Sequence, residues 1–339
     1  MGLSKEYERI LSSIRVGSEN DPSRPEFPPD NPKFPATPTY QIKVNGFSNV
    51  WLKDESVNPT GTHKDRMAWE IVLVYRDFLL AKKIGQVRDD LPRLSLISSG
   101  SAAVAVQTML RKYHLPNLNV LVDEGTSEFM IKKLESLGCD VYKHDLQKKP
   151  LGWNDVLELT NNENGFDITS ADAFGPTTRY YDWMSYEILN SSPDYCFVPF
   201  GTGNLYQNIL NVNKKEVTSE VHDPRFLGDI EVVRNCAFFA AATNSRDSKA
   251  EKLYAPHNPF SYYNEQWIHI FRSAGYCNQA SGVYLMGEQY LNEALLLAQD
   301  QGINAEPSGI AGLALLLQMK HSIPKDKKIL IINTGKTKL

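Results

Sequence analysis

The amino-acid sequence predicts an α/β protein of two domains built on open, parallel-type sheets. Three observations carry that expectation. The chain has 339 residues, enough to fold around two separate cores. From about Leu94 the order strand, turn, helix repeats. The same order resumes after about Tyr180, and the chain closes on an apolar run, KILIIN, at 328 to 333.

Taken in order, the N-terminal MGLSKEYERILSSIRVGSEN is a polar, helix-like start without a continuous apolar core. It predicts neither a secretory signal nor a membrane span. Residues 17 to 39 are proline-rich and predict an extended segment on the surface. Two short strands follow, around Gln41 to Val44 and Asn49 to Lys53, and then the turn formers Asn58, Pro59 and Gly61. Thr62 is suited to cap a helix whose apolar spacing runs from Met67 to Leu80. LSLISS meets Gly100, and Ala102 to Tyr113 reads as a helix. A strand at Asn119 to Val122, a helix at 127 to 138 and a strand at 139 to 144 repeat the unit, with one more helix at Asp155 to Asn161. Tyr180 to Leu189 predicts a helix, Tyr195 to Phe200 a strand, and GTGN leads into a helix at 205 to 212. Residues 229 to 243 hold another strand with its connection, and 244 to 264 read as a long polar and aromatic loop. Amphipathic helices are expected at Tyr284 to Gly302 and Gly309 to Met319, before the last strand and the tail TGKTKL.

Composition excludes several classes. Hydrophobic residues make up 42% and charged residues 22%, as in an ordinary soluble globular protein. A net charge of -4 with scattered Lys and Arg argues against nucleic acid or an anionic membrane as partner. Cys139, Cys196, Cys236 and Cys277 form no CxxC pair and have no histidine at ligand spacing. They predict buried, reduced thiols rather than a disulfide framework or a metal site, and cytoplasm is the expected location.

Four loops stand where ligands collect in α/β sheets, at carboxyl ends of strands and starts of helices. The first, NPTGTHKDR at 58 to 66, puts Lys64 in the first turn of a helix, where the dipole disfavours its charge. Either Lys64 points into water beside Asp65 and Arg66, or it is a lysine kept neutral to attack a carbonyl. The second, SSGSAA at 98 to 103, offers hydroxyls and amides that suit a carboxylate, or simply caps a helix. The third, VPFGTGNL at 198 to 205, offers the amides of Gly201, Thr202, Gly203 and Asn204 at a helix start, a setting for a phosphate dianion. The fourth, NTGKTKL at 333 to 339, lacks the first glycine of a nucleotide-binding GKT loop and no helix follows it, so an ATPase is rejected.

Together these loops, with Lys53-Asp54-Glu55, LGCDV at 137 to 141, PDYCFVP before GTG, and EPSG-x-AGLA at 306 to 314, resemble a known family in order and spacing. The resemblance is to the pyridoxal-phosphate enzymes of fold type II, the tryptophan synthase β-like family, over about Thr37 to Lys338. Its members include tryptophan synthase β, cysteine synthase, threonine synthase and serine/threonine dehydratases.

The resemblance implies pyridoxal 5'-phosphate as cofactor, in a cleft between a large domain (1–92 plus 173–339) and a small mobile domain (93–172) that grips the substrate carboxylate. It implies that Lys64 forms a Schiff base with the cofactor and shuttles the proton at Cα. The amides of Gly201, Thr202, Gly203 and Asn204 would take the phosphate, and Thr334 would face the pyridine nitrogen. Ser98, Ser99, Gly100, Ser101 and Ala102 would hold the carboxylate of a small amino-acid substrate. Ser101 departs from the asparagine that contacts the ring hydroxyl in many relatives. Glu306 and His63 are further candidates; Glu306 also suits a helix start on dipole grounds alone. The NPTG-x-x-KDR form and the TG-x-x-K ending lean toward threonine synthase, acting on O-phosphohomoserine. A cysteine synthase-like or diaminopropionate-forming β-replacement and a dehydratase stay open, as does a degenerate relative that only binds an amino acid. A homodimer is expected, and no metal.

Overall fold

Two sheets, not one, come out of the repeated strand–helix order. The computed structural model describes residues 3–14, 34–87, 90–146, 151–152, 154–169, 179–255 and 265–338. After helix α1 (Lys5–Ser13) come strands β1 (Thr39–Ile42) and β2 (Val50–Asp54) and helix α2 (Lys64–Lys83). The middle of the chain gives β3 (Leu94–Ile97), α3 (Ser101–Lys112), β4 (Asn119–Asp123), α4 (Glu128–Leu137), β5 (Asp140–His144), α5 (Asp155–Leu159) and β6 (Phe166–Asp167). Then follow α6 (Asp182–Asn190), β7 (Tyr195–Pro199), α7 (Asn204–Thr218), α8 (Ile230–Arg234) and β8 (Ala237–Ala242). The last elements are α9 (Glu265–Ser273), β9 (Gly282–Leu285), α10 (Glu288–Asp300), α11 (Ala311–Gln318) and β10 (Ile329–Asn333).

Six strands form one sheet in the order β1-β2-β10-β7-β8-β9, and four form the other in the order β5-β4-β3-β6. Every described pair is parallel except the edge hairpin of β1 and β2. Strand β10 lies at the centre of the large sheet with all five residues buried, so it reads as one apolar run, as a strand covered on both faces must. Helix α11 is buried from Ala311 to Leu317 and covers one face of that sheet.

The structure corrects several sequence expectations. The helix expected from Tyr284 begins at Glu288, because Tyr284 belongs to β9, paired with Ala241 of β8 and packed edge-on against Phe239 at 5.4 Å. An apolar Val-Tyr-Leu run satisfies helix and strand periods alike. The first strand lies two residues earlier than expected, since Val44 already accepts the turn bond from Phe47 N. The two-residue β6 and helix α9 were not foreseen. Thr62 is not the helix cap: His63 holds that position, and Thr62 Oγ1 instead accepts from Lys64 N at 3.2 Å. Of the loop expected at 244 to 264, residues 244 to 255 are described and include a short turn at Glu251–Leu253. The remainder, with His257, Tyr262 and Tyr263, lies outside the described residues, as do residues 17–33 of the proline-rich segment.

All four cysteines are free and buried, and burial raises their thiol pKa values. Among the described residues no helix is long and apolar enough to cross a membrane, and no group of three or more His, Cys, Asp or Glu could hold a metal ion.

Candidate functional site

Lys64 opens α2, and its neighbours in sequence hold the loop before it in one shape. The Asp65 carboxylate accepts from Thr60 N and Thr60 Oγ1, both at 2.9 Å. Arg66 turns the other way, into a buried ion cluster. Its guanidinium donates to Glu55 at 2.7 and 3.0 Å and to Glu187 at 3.0 and 2.9 Å. Lys53 adds a second cation, 2.5 Å from Glu187, and donates to Thr37 O at 2.7 Å. Two cations and two carboxylates balance there, and Asn58 ties Glu55 to the carbonyl of Thr62. The KDE and KDR segments are thus two halves of one anchor. Asp65 and Arg66 are only 1% and 2% exposed, which excludes a solvent-facing charge run.

The Lys64 amine opens onto a cleft and is otherwise enclosed by protein. It donates to the Tyr181 hydroxyl at 3.1 Å. Burial lowers its pKa from 10.5 to about 8, so a useful share is neutral near physiological pH. His63 lies alongside, with its ring centroid 5.3 Å from that of Tyr181 and its Nδ1 3.4 Å from Thr334 O. Burial first, and the Lys64 charge second, push the imidazole down to about 3, so it is neutral.

The cleft encloses about 150 Å³, and all four predicted loops reach it. Lys64, His63, Ser98, Ser99, Ser101, Ala102, Gly201, Thr202, Gly203, Asn204, Glu306 and Thr334 line it. Gly100 does not: it is buried beneath its turn against Met130. Ser98 Oγ accepts from Gly100 N at 3.0 Å and Ala103 N at 3.2 Å, so its oxygen closes the turn. Gly203 has φ +83°, a backbone setting that favours glycine, and α7 starts at the next residue. The Asn204 side chain donates to Thr169 O at 3.0 Å, which leaves its main-chain amide as its contribution to the cleft. Thr334 is held through its backbone, with N donating to Gly309 O and O accepting from His63 N. Glu306 is paired with Lys252 at 2.6 Å.

Three residues escaped the sequence reading. Tyr181 is the hydrogen-bond partner of Lys64, yet nothing in the spacing of RYYDW marks it. Lys252 and Tyr254 line the cleft from the 244–255 stretch, where the sequence suggests either a pocket-shaping segment or a surface loop and marks neither residue.

Fold and site together define a cleft beside two mainly parallel sheets, lined by a lysine of lowered pKa and by the glycine-rich turn that starts α7. Residues 33–335 match the family described as pyridoxal-phosphate dependent enzyme, and the chain belongs to that family, whose cofactor is pyridoxal phosphate. A threonine synthase of Synechocystis sp. is 22% identical over 316 residues, covering 90% of this chain and 76% of the relative. Among solved structures, an O-ureido-L-serine synthase aligns with a TM-score of 0.62 at 17% identity, over 99% of this chain and 92% of that one. The diaminopropionate ammonia lyase of Escherichia coli aligns at 0.61 and 13% identity, over 98% of this chain and 88% of that one. These structural likenesses show the fold.

The residues fit the cofactor. An amine with lowered pKa shares the cleft with the Gly201–Asn204 turn at the start of a 15-residue helix, where a phosphate is favoured. Backbone also packs close behind that turn: a Cβ on Gly201 would stand 3.2 Å from Lys252 O. In that fit Lys64 would hold the aldehyde end, and Gly201 to Asn204 the phosphate.

Proposed function

We propose that this chain catalyses elimination or replacement at Cβ or Cγ of an amino acid, with the threonine synthase-like conversion of O-phosphohomoserine to threonine as its leading reaction. The observation that carries the reading is that Thr334, directly after the central strand β10, lines the cleft; on this reading a hydroxyl and not a carboxylate meets the ring nitrogen. When bound, pyridoxal phosphate supplies an electron sink for charge developing at the substrate's Cα. A neutral hydroxyl does not enforce a protonated ring nitrogen, and so favours expulsion of a leaving group over prolonged charge storage. Lys64 takes the Cα proton, with its lowered pKa suiting a base near neutral pH. Ser99 and Ser101, with the parts of the Ser98–Ala102 turn that line the cleft, bind the substrate carboxylate, and closure of the 93–172 unit excludes water.

A β-replacement with a second reactant is the alternative, and one feature favours it. Beyond Ser98 and Ser99 a chamber of about 370 Å³ extends past Asp123, Ser127, Arg246 and Tyr254. That is room for a nucleophile larger than water. A degenerate, merely amino-acid-binding relative is the third reading; Lys64, the amide cradle and Thr334 in one cleft argue against it.

The test is the visible absorption spectrum of the purified, cofactor-loaded protein. O-phosphohomoserine, O-phosphoserine, O-acetylserine, serine and threonine are added in turn, and products are assayed. A band that shifts with O-phosphohomoserine, with release of phosphate and formation of threonine, supports the leading reading. A response only to an O-substituted serine moves the assignment to β-replacement. No cofactor band in any condition sinks the enzyme reading.

A further inference from the structure

The tail Gly335 to Lys338 runs beside the Lys64 loop and is tied to it through its backbone. Thr62 and Gly335 form a β-bridge, Lys336 N donates to Gly61 O, and Lys338 N donates to Thr60 O, both at 2.9 Å. One residue lies between these two backbone-bonded lysines. That residue, Thr337, is 7% exposed, and its Oγ1 lies 2.6 Å from Ser101 Oγ in the opposite wall of the cleft. Behind it, Lys252 Nζ donates to Thr337 Oγ1 at 3.4 Å and to Glu306 Oε2 at 2.6 Å. Thr337 N approaches the same carboxylate oxygen at 3.5 Å.

Lys252 fixes the direction at one end of this chain of contacts. An ammonium only donates, so the Thr337 oxygen is an acceptor toward Lys252. That oxygen has a second lone pair, so either hydroxyl can donate in the 2.6 Å contact between Thr337 and Ser101. When Thr337 is the donor, Ser101 keeps its own proton for the cleft that it lines. We propose that Thr337 is a positioning residue. Backed by Lys252 and Glu306, its hydroxyl clasps the Ser98–Ala102 turn to the tail and orients Ser101 as a hydrogen-bond donor to the substrate carboxylate. The carboxylate as occupant rests on the functional reading above; the clasp itself does not.

Thr337→Val keeps the shape of the side chain and removes the hydroxyl, while Thr337→Ser keeps the hydroxyl. Both are made in the full-length, cofactor-loaded protein and read in two ways. Hydrogen exchange at the amides of residues 99 to 103, without substrate, is expected to quicken in the valine variant and return to the wild-type rate in the serine variant. KM for the amino acid that shifts the spectrum is expected to rise about five- to tenfold in the valine variant, with kcat nearly unchanged, and to recover with serine. Thr337→Ala serves as a second hydroxyl deletion if the valine variant does not fold. Wild-type exchange and KM in a hydroxyl-deleted variant overturn the proposal, and so does equal loosening in the serine variant. If no amino acid proves to be a substrate, the functional reading fails while the exchange measurement still decides whether the clasp exists.

Discussion

The Lys64 amine lies 3.1 Å from the Tyr181 hydroxyl, and that hydroxyl is itself buried. Burial raises the phenol's pKa well above its ordinary value, so the partner of the amine is neutral throughout the working pH range. A carboxylate there would hold the lysine charged; a phenol orients it without doing so. Lys64→Ala is expected to abolish turnover while leaving the circular dichroism spectrum unchanged, and full activity in that variant would refute the site. Tyr181→Phe keeps the packing and loses one hydrogen bond, so turnover should fall by about tenfold with little change in Tm.

The lowered pKa of Lys64 has its own signature. Only the neutral amine attacks an aldehyde, so capture of pyridoxal phosphate by the cofactor-free protein should quicken as pH rises. Its midpoint should lie near 8, where burial has brought the amine, rather than near 10.5. Stopped-flow absorbance over pH 6.5 to 10 on a constant protein sample tests this. A rate still climbing tenfold per unit at pH 9.5 would mean that the amine is not desolvated.

The buried cluster around Arg66 sets a stability prediction. Arg66→Met leaves Glu55 enclosed without its main counter-charge, which should cost roughly 3–5 kcal/mol by urea unfolding. The wild-type cluster also fixes the acid response. Arg66 and Lys53 hold the Glu55 carboxyl at about 2, against an ordinary 4.5. A folded-state pKa below the unfolded one stabilises fully above pH 4.5, and that contribution is lost as pH falls from about 4.5 through 2. A flat stability between pH 5 and 3 would show that Glu55 does not titrate as part of this cluster.

What the sequence made legible follows from what spacing encodes. Strand–turn–helix order gives the sheets, because periodicity and punctuation are local. The four loops were readable because each sits at a sheet end and carries its own turn chemistry. Tyr181, Lys252 and Thr337 were not, because each matters through a partner far away in sequence: Lys64, Glu306 and Ser101 respectively. Gly100 was misjudged in the opposite way, since it belongs to the right loop but on its buried side. The displaced start of the helix near Tyr284 has the same root, a pairing with β8 that no window of ten residues contains.

Thr334→Asp tests the feature on which the choice of reaction rests. The variant introduces a carboxylate directly after the central strand, at a residue whose carbonyl accepts from His63 N and which lines the cleft. A carboxylate beside the ring nitrogen favours its protonated form, which stores charge longer and gives side reactions such as exchange of the Cα proton or transamination time to compete. The elimination or replacement product should therefore fall as a share of substrate consumed, while Cα–deuterium exchange rises relative to turnover. Product analysis by mass spectrometry in deuterated buffer measures both at once. An unchanged product spectrum in a variant that still binds cofactor would remove the argument from Thr334, and with it the preference for leaving-group chemistry over charge storage.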